Sequence, residues 1–399
     1  MKNSATTERL LVLILASVQF THIMDFMVLM PLGPQLMRVL HISAREFSFL
    51  VAAYTLSAAL SAFLTALYID RFDRKRALLF LYAGFVVSTL LCGLASGYAT
   101  LLAARIFAGA FGGVAGAVVY AIVGDAIPRE RRGTATGAVM SAFSISAIVG
   151  VPTGLFLANQ FQWRAPFVFL AAVSSLILFG VWKIVPHMRA HVRSGRTAAN
   201  PLQQIRAVFA DPNHRRALAL PAMLVFGGFS VIPFLSPYAV SNIGLRESDL
   251  PYIYFFGGMA TVFTSRFIGR LSDRHGKREI FAIVAILSIF PFLTVTNLPP
   301  VPLWLMLCSS TLFFIFVSGR FVPAMALVNS SAQPSMRGSL MSFSSALQHL
   351  SSGLASVCGG FIVGHTDTGA LTRYWVVGLV AVASTLAAIR IAWKIRPVS

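Results

Sequence analysis

An acid inside an apolar run is the first residue here whose type and place could do chemistry. Asp25 lies within His22–Pro34, HIMDFMVLMPLGP, and roughly residues 10–36 contain no other Asp, Glu, Lys or Arg. A charge in the middle of a membrane costs about 2.5–3.5 kcal/mol on insertion scales, so an acid kept there is read as functional. Such an acid can take up and release a proton. His22 lies three residues earlier on the same helical face, with Gln19 beyond it. Imidazole titrates near neutral pH, so a His22–Asp25 pair could relay a proton. A histidine bonded to a neighbouring helix would instead be structural. Arg105 is a second charge inside an apolar segment, in Arg105-Ile-Phe-Ala-Gly109-Ala-Phe-Gly-Gly113. Its guanidinium stays protonated at any physiological pH. Beside an acid it would tune that acid and help release its proton when helices move. The other reading is a side chain that snorkels to the headgroups.

Weaker candidates lie further along. Arg320 could meet a polar or anionic part of a substrate in a cavity, or pair with lipid or backbone. Asn329, Gln348 and His349 are polar points in apolar runs, either helix glue or ligand contacts. Phe26 and Phe229 stand at matching places in a repeat described below and are candidates for lining a cavity.

These residues need elements that hold them in oil. The chain has 399 residues, 57% hydrophobic and only 11% charged, where a soluble domain carries about 25% charged residues. The apolar residues come in runs of about 20, the length that crosses a ~30 Å hydrocarbon core at 1.5 Å per residue. The pattern predicts an all-α membrane protein with twelve spans, at roughly 10–36, 47–69, 77–95, 99–124, 134–158, 165–185, 217–240, 250–271, 279–297, 302–330, 339–363 and 374–394. A membrane β-barrel would show short segments of alternating polarity, which are not seen. The first run is too long for a signal-peptide core and reads as a retained span. Cys92, Cys308 and Cys358 lie in apolar runs with no metal-ligand spacing and read as packing residues.

The net charge of +19 would point to nucleic acid in a soluble protein. Here the Lys and Arg residues gather in alternate short loops, so the positive-inside rule accounts for them, and nucleic acid is excluded as a partner. Both termini are expected in the cytoplasm. The one long polar connection, 186–216, is basic and divides the chain into six-span bundles, 1–185 and 217–399. It is expected to lie on anionic headgroups.

Two motifs recur at one offset, 203 positions. Phe26-Met-Val-Leu-Met-Pro-Leu-Gly-Pro34 is echoed by Phe229-Ser-Val-Ile-Pro-Phe-Leu-Ser-Pro237, and Asp70-Arg71-Phe72-Asp73-Arg74-Lys75 by Asp273-Arg274-His275-Gly276-Lys277-Arg278. The first echo lacks the acid, because Gly228 stands where Asp25 stood. The halves are therefore expected to match in fold and differ in chemistry. Transporters built of two repeats carry such symmetry, with the substrate site near the midplane.

At this point the whole chain resembles the major facilitator superfamily, in its drug/proton antiporter branch. Gly269-Arg-Leu-Ser-Asp273-Arg274-His-Gly276-Lys277-Arg278 looks like that family's loop signature, Gly-x-x-x-Asp-Arg-x-Gly-Arg-Lys. The first copy departs from it, with Ala66 and Asp73 in place of the two glycines. The resemblance implies a latch of Asp70, Arg74 and Asp125 that holds the outward-open state. In the second half Asp273 and Lys277 match, with no acid to match Asp125. Arg105 resembles the buried arginine of proton-coupled members, with Ala108 where a Gln is usual. Gly150-Val-Pro152-Thr-Gly154 resembles the Gly/Pro signature of antiporters: Pro kinks the helix and Gly lets helices approach closely.

The function expected is proton-coupled efflux of small amphipathic or drug-like molecules from a bacterial cell, by a monomer in the inner membrane. A sugar or small-metabolite exporter and an uncoupled facilitator are the alternatives, with a non-transporting sensor or scaffold more distant. No cofactor or metal is expected. No catalytic constellation falls in the spans, so the chain is not read as an enzyme.

Overall fold

The computed structural model describes residues 2–65, 72–188, 208–333, 336–366 and 369–398; for residues 2–7 and Arg129 it describes the backbone alone. Among the described residues twelve long helices follow one another: α1 Lys2–Val28, α2 Ala44–Thr65, α3 Arg74–Gly93, α4 Tyr98–Ala126, α5 Arg132–Gln160, α6 Ala165–Ile184, α7 Pro212–Ser241, α8 Leu250–His275, α9 Lys277–Asn297, α10 Leu303–Ser330, α11 Arg337–Ile362 and α12 Tyr374–Lys394. Ten are long and apolar enough to cross a membrane. The other two, α8 and α11, have the length, 26 residues each. The first is more polar through Arg266, Arg270 and Asp273, and the second through its serines and His349.

Helix ends follow local chemistry. Asp73 caps α3 by accepting from the N–H groups of Lys75 and Arg76, which offsets the unpaired donors of a first turn. Asp211 does the same for α7 with Asn213 N–H, and Pro212 fills the first turn, where no N–H is needed. Gly276, between α8 and α9, has φ of +98°, a backbone state that suits Gly.

The first span differs from its sequence pattern. The apolar run continues to Leu36, but α1 stops at Val28, and a separate helix, Gly33–Leu40, follows. Pro31 and Pro34 each lack an N–H within one turn, so the ladder cannot run through. In α5 a π turn, Ser146–Gly150, stands just ahead of Pro152, the kind of ladder irregularity at which helices bend.

Contacts divide the chain into two compact units, Met1–Leu29 with Ala53–Pro201, and Met30–Ala52 with Leu202–Ser399. In the first, α1 packs on α4, α5 and α6, and α3 on α4 and α6. Its core joins Leu15 and Val18 of α1 to Phe85 of α3, Val118 of α4 and Val139 of α5. In the second, the same pairs recur six helices later: α7 on α10, α11 and α12, and α9 on α10 and α12. The packing thus repeats as the sequence does. The second unit also holds the stretch Met30–Ala52, where Arg38 pairs with Glu247 and the Arg45 guanidinium lies 4.2 Å from the centre of the Phe361 ring. Exposed Phe80, Leu176 and Phe267 point away from the cores, as expected of surfaces that meet lipid.

Candidate functional site

The site forms where α1, α2, α3 and α4 meet inside the first unit. Arg105 of α4 donates from Nη1 to Asp25 Oδ2 of α1 at 2.7 Å, and both side chains are fully buried. The same nitrogen reaches the Asp25 carbonyl at 3.3 Å. Thr89 of α3 donates to Asp25 Oδ1 at 3.3 Å. Both oxygens of the acid are therefore held, one by a cation and one by a hydroxyl. Charge-assisted bonds of this length are the strong ones.

Tyr54 of α2 completes the cluster. Its ring lies 4.5 Å from the Arg105 guanidinium carbon, and its hydroxyl bonds His22 Nδ1 at 2.6 Å. Phe26 stacks on the same ring at 5.4 Å between centroids. The glycines of α4 make this possible. A Cβ on Gly109 would collide with the Tyr54 carbonyl and the Ser57 hydroxyl, and one on Gly112 would meet the Tyr54 hydroxyl and His22. Small residues at a membrane helix interface allow such close approach. On α5, Gly150 faces Met24 and Phe20 and Gly154 faces Val28, so the kinked helix rests directly on α1.

Of the residues singled out in the sequence, Asp25 and Arg105 meet directly, while His22 bonds Tyr54, which lies against Arg105. Tyr54 and Thr89 were missed. A buried tyrosine whose hydroxyl needs a partner was a weak signal for the first; Thr89 gave none.

At the α2–α3 loop, Arg74 Nε bonds Asp125 Oδ2 at 3.2 Å. Asp70, the third expected member of the latch, lies outside the described residues. Asp73, at the position of a family glycine, has an ordinary φ of −58° and serves as the cap of α3. Burial pushes its carboxyl up, but the Arg76 N–H, the His187 ring and the Lys75 N–H outweigh this and hold it below the usual carboxylate range. Arg131 adds an ion pair to Glu8 at 3.0 Å. In the second copy, Asp273 lies in the last turn of α8 and Lys277 opens α9. There Arg278 donates to the Ile395 carbonyl at 2.6 Å.

The second unit has its own buried guanidinium. Arg320 of α10 bonds Thr385 at 2.7 Å, Ser288 at 3.3 Å and the Leu224 carbonyl at 3.2 Å, with the Phe292 ring 5.0 Å away. These partners are neutral. Phe26, Phe229 and His349 are half-buried, and Asn329 is exposed near the end of α10. Gln348 bonds Ser344 one turn back.

A family profile described as Major Facilitator Superfamily matches residues 15–294 and 218–399. Among curated proteins, the chain is 26% identical over 361 residues, 90% of each chain, to a Bacillus subtilis protein described as the uncharacterized MFS-type transporter YceJ. It is 26% identical, over 60% of each chain, to a Helicobacter pylori protein named "Probable sugar efflux transporter". It is 24% identical, over 85% of each chain, to a Streptomyces lividans chloramphenicol resistance protein. Among solved structures, a D-xylose-proton symporter matches with a TM-score of 0.77 at 16% identity over 97% of both chains. A bacterial homologue of the lysosomal transporter Spinster matches at 0.73 and 15% over 98% of both. At those identities the likeness speaks for the fold. The repeated packing of two units, the shared fold and a profile that covers nearly the whole chain agree: this multi-pass membrane protein belongs to the major facilitator superfamily of transporters.

Proposed function

We propose that the protein exports small amphipathic or drug-like molecules in exchange for protons, by alternating access. It acts as a monomer in a bacterial inner membrane with both termini cytoplasmic and its basic linker on anionic headgroups. The observation that supports this most is the fully buried Asp25–Arg105 pair. A proton taken up by Asp25 removes the acid's charge and loosens its hold on Arg105. That change acts on α1, α3 and α4 at once, because α1 carries the carboxylate and α3 and α4 supply the bonds to it. The kinked α5, seated on α1 through Gly150 and Gly154, gives α1 a smooth surface to move against. His22 is the proton's second stop. The Arg74–Asp125 contact, with Asp70, latches one state, and Asp273 with Lys277 forms the weaker counterpart. Phe26, Phe229, Arg320, Asn329 and His349 contribute to the substrate path.

The test is substrate-driven proton movement in inverted vesicles. Chloramphenicol and ethidium serve as probes, the first chosen for the Streptomyces relative's name. Asp25→Asn should abolish coupled proton movement. Undiminished coupling would remove Asp25 as the carrier. The Helicobacter relatives favour a second reading, export of a sugar or small metabolite. Counterflow of radiolabelled sugars, with and without a collapsed proton gradient, separates that reading and an uncoupled facilitator from the first.

A further inference from the structure

Tyr54 lies with its ring against the guanidinium of Arg105 and its hydroxyl bonded to His22. Its position is built rather than incidental. The ring is fully buried, pinned at its hydroxyl by His22 and backed by Phe26; Gly112 leaves room for that hydroxyl, and Gly109 for the Tyr54 backbone carbonyl. Arg105 needs that support. Its Nε and Nη2 have no hydrogen-bond acceptor among the described residues. While Asp25 is charged, the carboxylate and the ring face share the cation. Once Asp25 is neutral, the ring face and the Asp25 carbonyl still face the cation. The negative face of an aromatic ring attracts a cation most where water is excluded.

We propose that Tyr54 is a positioning residue that holds Arg105 in place while Asp25 is neutral. The proposal rests on the reading that Asp25 changes charge during transport. Tyr54 itself carries no proton to substrate. Its ring keeps the buried cation from collapsing toward another acceptor, so that Asp25 finds its partner again when it releases its proton. The groups that face this cation are Asp25 of α1, Tyr54 of α2, and Cys92 of α3, whose thiol lies close enough to feel the charge. His22 acts on it through the Tyr54 hydroxyl.

The experiment measures unfolding of the purified full chain in detergent, with Tyr54→Leu and Tyr54→Phe placed in three backgrounds. These are the parent, Asp25→Asn, and Asp25→Asn with Arg105→Gln. A ring that merely fills space would cost the same on removal in all three. A ring that holds the cation gives a Tyr54→Leu loss at least about tenfold larger, in the unfolding constant, in Asp25→Asn than in the parent. The loss should be smallest where no cation remains. Tyr54→Phe, which keeps the ring, should recover most of it. If Asp25→Asn with Tyr54→Leu fails to fold, which additive losses would also give, the comparison of the parent with the doubly neutral background decides. If Asp25→Asn alone does not fold, the parent and the doubly neutral background still decide it. Equal losses in all backgrounds, or no rescue by Tyr54→Phe, would overturn the proposal. No transport is read, so this failure is separate from failure of Asp25→Asn to stop proton movement.

Discussion

The buried ion pair makes a quantitative claim about stability that needs no substrate. At 2.7 Å and an effective dielectric of about 20, the gross attraction between Asp25 and Arg105 is roughly 6 kcal/mol. Desolvation of both groups takes back much of this, so the pair adds little net stability over an apolar pair. Removing one member is different, because the other is left charged in a dry site, at a cost of about 3–5 kcal/mol. Total stability of a folded chain is only about 5–15 kcal/mol, so either single variant should be severely weakened. The two are not equivalent. In Arg105→Gln the remaining carboxylate can shed its charge by binding a proton. In Asp25→Asn the remaining guanidinium cannot. Asp25→Asn should therefore be the less stable single variant, although Asn keeps an oxygen for Thr89. The double variant Asp25→Asn, Arg105→Gln should lose less than the sum of the singles by several kcal/mol. Thermal and denaturant unfolding of the purified protein at neutral pH, read as a double-mutant cycle, measures this directly. Additive losses, or single losses under about 1 kcal/mol, would show that the two charges do not depend on each other, and the proposed coupling would fail with them.

Two further outcomes follow from the geometry. Asp73 caps α3 with a carboxyl held below its usual range, so its stabilising effect is fully present above the unfolded value of about 3.9 and is lost as pH falls through the lower folded value. Asp73→Ala should cost about 1 kcal/mol at neutral pH, and unfolding curves of variant and parent should converge as the pH is lowered below about 4; a gap that persists in acid would argue against the carboxylate cap. In the second unit, Gly228 has open contacts of 3.7–3.8 Å around a built Cβ, one of them to Val317, one turn before Arg320. Gly228→Asp should thus be more stable than Gly228→Asn by about 1 kcal/mol or more, as the added acid supplies Arg320 with a counter-charge; equal thermal stability of the two would place that position out of reach of the guanidinium.

What the sequence made legible was governed by rarity. Asp25 and Arg105 stood out because a charge in an apolar run is expensive, and pairing the two makes both tolerable. Gly276 stood out because a two-helix turn needs a backbone state that few residues adopt, and its φ is +98°. Gly150, Pro152 and Gly154 marked the kinked helix, though not that a π turn would precede the proline. Tyr54, Thr89, Ser288 and Thr385 were illegible for the opposite reason. Single hydroxyls are common in membrane helices, and their partners depend on which faces meet, which no local pattern records. The break of the first span at Val28 was also hidden, because prolines in membrane helices bend a span as often as they end it. In the sequence Asp73 was only a residue standing at a family glycine position; its value as a helix cap appears only when the start of α3 is known.

The two guanidiniums explain why the repeat matters. Arg105 and Arg320 lie on corresponding helices of units that pack their helices in the same pairs. Each is fully buried and each faces an aromatic ring. Yet α1 offers Arg105 a carboxylate, while α7 offers Arg320 only the Leu224 carbonyl, with hydroxyls from α9 and α12. A carbonyl or a hydroxyl cannot change charge near neutral pH. The second cradle therefore holds a cation at any physiological pH, whereas the first has a negative member that a proton can neutralise. A proton arriving in this protein has one fully buried acid among the described residues to meet, Asp25, and that acid lies in the first unit. A charge change by proton uptake at a fully buried acid is therefore open to the first unit's cradle and not to the second's.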